Sequence, residues 1–67
     1  MILSYYIKRE NDHQGLVRVR FWHNTTGWSA TDAKGYSARW RAERVLVKLI
    51  NKGEAFADEC SIEESTV

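Results

Sequence analysis

The sequence contains no proline and only one cysteine, Cys60, in 67 residues. A single thiol cannot form a disulfide within the chain. This favours a reducing compartment and leaves a Cys60–Cys60 link between two chains as the one disulfide available. A domain of about this length buries roughly 60% of its unfolded surface. Without disulfides or a metal it therefore needs a well-filled core, a partner or a second copy.

Long apolar runs are also missing. No run could span a membrane, and the first ten residues, MILSYYIKRE, lack the apolar region of a signal peptide. We therefore expect a cytoplasmic protein without a membrane partner. The length predicts one domain, over residues 1–62, followed by a frayed acidic tail at 63–67.

Catalytic and metal-binding residue sets are not found either. His13 and His23 fall in predicted turns, and neither has a second histidine or cysteine at metal-ligand spacing. The four glycines are scattered, so there is no phosphate-binding loop, and Cys60 is predicted as a structural thiol on a strand. A small fold with one helix leaves little room for a substrate cavity. We expect a non-enzymatic protein with no cofactor, metal or small-molecule substrate.

The charges are divided unevenly along the chain. Residues 1–53 contain all ten Lys and Arg and four of the nine acidic residues, which gives a net charge of +6. Residues 54–67 contain the other five acidic residues, a net charge of −5. Such a division indicates an anionic partner for the body or a tail that folds over it, unless the surface is simply solvated.

Two segments near the start alternate as strands do. The first, ILSYYIKRE, is followed by a predicted turn, NDHQG, and then by LVRVRFWH. In the first strand one face is predicted to carry Leu3, Tyr5 and Ile7, and the other Ser4, Tyr6 and Lys8. In the second, the core face is predicted to carry Val17, Val19 and Phe21, and the open face Leu16, Arg18, Arg20 and Trp22.

The rest of the chain predicts a short third strand, WSATD, then one helix and a fourth strand, EAFADECSI. Ser37 is the predicted helix N-cap, and Gly53 follows the helix as its left-handed C-terminal residue. Phe56, Cys60 and Ile62 are predicted to alternate in the fourth strand. The fold class is therefore α+β: three or four antiparallel strands with one helix packed on one face, in the order β-β-β-α-β.

The helix has an apolar stripe and an apolar pair on the opposite side. The stripe, which is predicted to cover the sheet, consists of Ala38, Ala42, Val45, Leu46 and Leu49. Trp40 and Val47 lie nearly opposite, flanked by Arg44. Three interpretations stay open: the acidic tail covers Trp40, a second copy or a partner covers it, or Trp40 is exposed with a weak cation–π contact to Arg44.

The predicted open sheet face is basic and aromatic. Its candidate nucleic-acid-binding residues are Tyr6, Lys8, Arg18, Arg20 and Trp22. Arginine and lysine suit phosphate contact, and aromatic rings suit base stacking. The alternative is an ordinary polar outer face of an antiparallel sheet, although that alternative explains Trp22 poorly.

The segments KGYSARWRAERVLVKL, residues 34–49, and GLVRVRFWHNTTG, residues 15–27, carry a resemblance to two small β-β-β-α families. The first segment resembles the strand-to-helix junction of the arm-type DNA-binding domain of phage and transposon integrases. Both segments are similar to the YegP-like domain of unknown function. The integrase resemblance implies that the open sheet face enters the DNA major groove through Arg18, Arg20 and Trp22. The YegP-like resemblance implies dimers or tandem units and gives no function.

The leading hypothesis is a non-enzymatic module that contacts nucleic acid through the open sheet face. The alternative is a protein-interaction or inhibitor module, such as a small phage protein that blocks a host complex, with Trp40, Arg44 and Val47 as its partner-binding residues and the acidic tail as a nucleic-acid mimic. A third hypothesis is a homodimer with a structural role only.

Overall fold

The computed structural model describes residues 3–13 and 15–66, without the side chains at 12 and 13. The elements follow in the order β1 (Leu3–His13), β2 (Leu16–His23), β3 (Gly27–Ser29), α1 (Arg39–Asn51) and β4 (Cys60–Thr66). The strands form one antiparallel sheet in the order β3-β2-β1-β4, so β1 lies between β2 and β4. The predicted α+β fold, with one helix on one face of an antiparallel sheet, is confirmed.

The core lies between α1 and the first half of β1. Among the residues whose side chains are described, four are buried: Ile7, Ala42, Leu49 and Ala55. Partly buried side chains surround them, among them Tyr5, Trp22, Trp28, Val45, Leu46 and Ile62. The predicted stripe of α1 therefore does face the sheet, where the helix packs against β1 and β4. Removing this apolar surface from water is the main stabilising contribution to the fold.

The predicted faces of β2 are wrong. Arg9 lies directly opposite Arg20, and Asn11 lies directly opposite Arg18. Residues paired in this way point to the same side of a sheet, and alternation places Arg9 and Asn11 on the side of Ile7, under the helix. Arg18 and Arg20 therefore lie on the helix side of the sheet.

The reason is the competition between two neighbouring aromatic residues. Phe21 and Trp22 are adjacent in β2, so only one of them can face the helix. Trp22 does so, packing against the core and meeting Trp28 edge to face with ring centroids 5.4 Å apart. Phe21 faces the other side, where its ring lies edge to face with Tyr6. The strand's period of two then fixes the side of every other residue in β2.

The first hairpin is tighter than predicted. β1 continues to His13, which is opposite Leu16, so most of the predicted turn NDHQG belongs to a strand. Gly15 has φ +79°, a conformation typical of glycine in tight turns. His23 is the last residue of β2, and its Nδ1 accepts a hydrogen bond from the Thr25 amide at 3.2 Å. Both histidines therefore lie at strand ends, not in turns.

The two ends of α1 differ in how well the sequence predicts them. Ala38, not Ser37, is the N-cap, and within the described residues no side chain caps this end. At the other end, Gly53 has φ +79° as predicted. Its amide donates to the Ile50 carbonyl (3.0 Å) and the Glu54 amide donates to the Leu49 carbonyl (2.9 Å). This is the paired pattern of a Schellman motif, and it turns the chain back toward the core at Ala55.

The last strands also differ from the prediction. β3 is limited to three residues, and β4 begins only at Cys60, so Phe56 is not in a strand and its side chain is exposed. β4 continues to Thr66, which places residues 63–66 in the sheet instead of a frayed tail; position 67 lies outside the described residues. Tyr36 pairs with Tyr5 through two backbone hydrogen bonds, which fills the place beside β1 that β2 leaves.

Across residues 3–13 and 15–66, no helix has both the length and the apolar character that crossing a membrane requires.

Candidate binding surfaces

The sheet side that faces away from α1, here called the open face, is less basic than predicted. Of the five candidate nucleic-acid-binding residues, only Tyr6 and Lys8 lie on it. The Lys8 ammonium contacts Glu10 Oε1 at 2.8 Å and Glu63 Oε2 at 3.4 Å. The hydrogen bond with Glu10 raises the pKa of Lys8 above its usual value. Two carboxylates thus neutralise this cation, and the open face loses the charge that a phosphate contact needs.

Apolar open-face side chains are concentrated on β2, beside serines and glutamates of β1 and β4. Val17 and Val19 lie there by the register of β2, and Val17 is 65% exposed. Next to them, the Tyr6 and Phe21 rings line a cavity of about 380 Å³ together with Thr31 and Glu63. Carboxylates beside two rings make this surface unsuited to a nucleic-acid backbone.

The basic sheet residues meet instead on the helix side, beyond the end of the helix. A cleft of about 220 Å³ is lined by Arg9, Asn11, Arg18, Arg20 and Trp28; we call it the arginine cleft. The Arg9 guanidinium lies 5.7 Å from the Trp28 ring centroid and 3.6 Å from a Glu59 carboxylate oxygen. Arg20 is held by its own strand, because its guanidinium donates to the Val19 carbonyl at 2.9 Å.

Trp22 does not belong to that cleft. It is partly buried against Ile7 and Trp28 in the core, so the structure separates it from the two arginines with which it was grouped. Conversely, the cleft is also lined by Arg9, Asn11 and Trp28, which are not among the predicted site residues. The signal for the first two was present: in a strand that continues to His13, the alternation that places Ile7 on the core side also places Arg9 and Asn11 there.

The three predicted partner-binding residues do come together on the outer side of α1. Trp40, Arg44 and Val47 line a cavity of about 460 Å³ with Glu43 and Lys48; we call this surface the tryptophan face. Trp40 is 53% exposed and Val47 is 56% exposed. These values leave a large apolar side chain and its neighbour accessible to another molecule.

Two guanidinium groups contact the exposed indole. Arg41 lies 5.1 Å and Arg44 5.9 Å from the Trp40 ring centroid. Both arginines are thus in cation–π range, which favours one orientation of Trp40 on the helix surface. A second cavity, of about 360 Å³, lies beside the same ring and extends to Tyr36.

The acidic segment does not cover Trp40. It pairs with β1 in the sheet, where Glu63 is opposite Tyr6 and Glu64 is opposite Tyr5. The interpretation in which this segment crosses the helix is therefore wrong. Cover by another chain stays a prediction.

Cys60 has the character of a structural thiol. It lies opposite Arg9 in the sheet and packs against the core, and burial raises the pKa of its thiol despite the nearby Arg9. A raised pKa leaves less thiolate near neutral pH, which weakens the case for a nucleophile. In the part of the chain that the structure describes, no three His, Cys, Asp or Glu side chains are grouped to hold a metal ion.

Comparison with protein-family models, with curated proteins and with solved structures found no significant match to this chain. The resemblances to the integrase arm-type and YegP-like domains stay predictions.

Proposed function

We propose that this chain is a non-enzymatic protein-binding module whose tryptophan face docks an acidic segment of a partner protein. The single observation that carries the proposal is the half-exposed Trp40 indole, held between two arginines on the outer side of the helix. Tryptophan and arginine are the residue types most enriched among the energetically dominant residues of protein interfaces.

The apolar part of this surface could supply a useful share of a binding energy. A tryptophan buries about 150–250 Å² when fully covered, so covering the exposed half of Trp40 removes roughly 100 Å² from water. At about 25 cal/mol per Å², that is ~2.5 kcal/mol, before any contribution from Val47. Because the arginines already favour one orientation of the ring, less side-chain entropy is lost on binding.

The charges specify the chemistry of the partner. Arg41, Arg44 and Lys48 surround the apolar pair, and Glu43 is the acidic residue that lines the same cavity. An acidic segment with one or two apolar side chains complements such a surface, and its association should slow as salt screens the charges.

A photo-crosslinking amino acid at position 43, which lines the same cavity as Trp40 and leaves that ring in place, tests the proposal. In extracts of the source cells we expect a protein adduct at position 43, and none with the same group at position 17, which is exposed on the open face. Arg44→Glu with Lys48→Glu should abolish the adduct, whereas Arg18→Glu with Lys34→Glu, an equal change of charge elsewhere, should not. Adducts to nucleic acid or to a second copy of this chain would contradict the proposal.

Nucleic-acid binding is the second candidate, on a different surface from the one the sequence predicts. What supports it is the charge on the helix side: α1 and its C-cap contain five Lys and Arg against Glu43 alone, and the arginine cleft adds three arginines on the same side of the sheet. Fluorescence anisotropy with labelled single-stranded and duplex oligonucleotides at low salt tests it.

In that experiment, Arg18→Ala with Arg20→Ala should reduce the dependence of log K on log salt by about two units, roughly one for each lost phosphate contact. Lys8→Ala removes a charge on the open face and should leave that slope unchanged. If the unaltered protein binds neither oligonucleotide at low salt, this candidate is eliminated.

A further inference from the structure

Four residues of the arginine cleft form two directly opposed pairs on β1 and β2. Arg9 and Asn11 are two residues apart in β1, and they lie directly opposite Arg20 and Arg18 in β2. Opposed side chains in an antiparallel pair have Cβ atoms about 5 Å apart, and residues i and i+2 on one strand are about 7 Å apart. Three guanidinium groups are thereby gathered around one cleft, with the Trp28 ring as a wall.

This arrangement is unfavourable for the empty protein. Like charges directly opposite each other destabilise a strand pair, and Arg9 and Arg20 are such a pair. Glu59 and the rings of Trp28 and Phe56 offset part of the charge of Arg9, at 3.6, 5.7 and 6.0 Å. The cleft lining itself contains no carboxylate among the described residues.

Two polar atoms of the cleft are buried and have no hydrogen-bond partner among the described residues. Arg9 Nε and Asn11 Oδ1 are inaccessible to solvent and form no hydrogen bond with any other described residue. Leaving a buried polar atom unpaired costs about 1–3 kcal/mol. Nε is a donor, and the terminal O and N of an asparagine amide exchange places when the group turns over, so Asn11 can also present a donor.

From these observations we infer that the arginine cleft binds a phosphate group. Three planar guanidinium groups offer paired donors to a tetrahedral anion with several acceptor oxygens, whereas a carboxylate needs only one such group. A volume of about 220 Å³ is smaller than the usual range for a whole small-molecule ligand, about 300–1,000 Å³, and suits one anionic group. The group is carried by a nucleic-acid strand or is free phosphate.

The inference is independent of the protein partner proposed for the tryptophan face. Where the phosphate belongs to nucleic acid, it rests on the second candidate function, and it names the residues that would hold the backbone. Inorganic phosphate tests the site without that assumption.

Thermal unfolding of the full chain is the first test. Phosphate should raise Tm by about 4–8 °C, the shift that corresponds to roughly 1 kcal/mol in a domain of this size. Sodium chloride and sodium acetate at the same ionic strength should not. Arg18→Gln and Arg20→Gln should each lose most of the phosphate effect, while Lys34→Gln, with the same loss of charge outside the cleft, should retain it. An equal shift in acetate, or an undiminished shift in both cleft variants, would overturn the inference.

An NMR titration gives a readout that does not depend on stability. Phosphate should move the Nε–Hε signal of Arg9, and it should leave that of Arg39, on the helix, in place. A short oligothymidylate titrated in parallel distinguishes the sources. If both ligands move the Arg9 signal, the carrier is nucleic acid, and if only inorganic phosphate moves it, the site takes a free anion. If neither ligand moves it, there is no phosphate site.

Discussion

The helix side of the sheet has two halves that differ in almost every respect except their strands. In one half, Ile7 belongs to the core, and Tyr5 and Trp22 pack against it. In the other half, Arg9, Asn11, Arg18 and Arg20 continue the same strands on the same side, and they line a polar cleft. The change from apolar to polar residues along this side of the sheet therefore shows where α1 stops covering it. It does not show which of the two sides of the sheet α1 covers.

The lengths of the elements explain the boundary. Eleven residues of β1 extend about 36 Å at 3.3 Å per residue. Thirteen residues of α1 extend about 20 Å at 1.5 Å per residue. Even a helix parallel to β1 would leave close to half of the strand uncovered, and the far end of the hairpin is exposed to water.

The covered half should be the more sensitive to truncation, and Leu49 is its most direct test. Leu49 is 4% exposed and belongs to the core cluster, so Leu49→Ala should reduce the free energy of unfolding by about 2–5 kcal/mol. Val47→Ala is the matched control on the outer side of the same helix and should cost within about 0.5 kcal/mol. Chemical denaturation measures both. Similar values for the two variants would place the helix in the wrong orientation.

Substitutions at two adjacent residues, Trp22 and Phe21, test the assignment of the two faces of β2. Trp22→Ala removes a ring from the core and should cost about 2–3 kcal/mol, below the usual range for buried aromatics because Trp22 is only partly buried. Phe21→Ala acts on the open face and should cost less. The midpoints of urea unfolding decide, and a larger loss for Phe21 would restore the face that the sequence predicts.

Gly53 ends α1 and turns the chain back toward the core. Its φ of +79° is unfavourable for other residues, although a methyl group there would have no atom within 4 Å. Gly53→Ala should therefore cost about 1 kcal/mol through the backbone alone. Gly35→Ala, at a position outside that conformation, is the control and should cost less. A neutral Gly53→Ala would mean that the helix ends differently.

A substitution in the uncovered half of the helix side should change the free energy of unfolding least. Arg18→Ala removes an exposed side chain and one of three neighbouring positive charges, so stability should stay within about 0.5 kcal/mol of the unaltered protein. Any gain should be largest at low ionic strength, because salt screens the repulsion that the substitution relieves. Denaturation at two salt concentrations measures the difference. A loss of several kcal/mol would show that the cleft is part of the core.

The sequence predicts the features that depend on local chemistry. The stripe around Leu49 follows from the period of the helix, and the turn at Gly53 follows from the need for a left-handed residue. Trp40 and Val47 are exposed because they lie opposite that stripe. Each of these depends on residues within one or two helical turns, which is the range over which sequence patterns are informative.

The predictions that are wrong concern features that depend on contacts between distant segments. The alternation of β2 shows that Arg18 and Arg20 share one side with Trp22, but only the register with β1 shows which side faces the helix. The acidic residues Glu63 and Glu64 resemble a solvated tail, yet they belong to a strand because β1 offers an unpaired edge. Ser37 is a residue type that often caps helices, but it lies one position before the observed N-cap, Ala38. The extended segment around Tyr36, which pairs with β1, fixes the helix start at Arg39.

The position of β1 between its two partners also sets an order of assembly. Its pairing with β2 joins residues that are close in sequence, and an isolated hairpin of this kind closes in about 1–10 μs. Its pairing with β4 joins Arg9 to Cys60 and Leu3 to Thr66, across some fifty residues or more. Contacts of such separation carry the entropic cost of closing a long loop and slow the folding of small domains. We therefore expect the docking of β4, which places Ile62 beside Ile7, to be the step that limits how fast this protein folds.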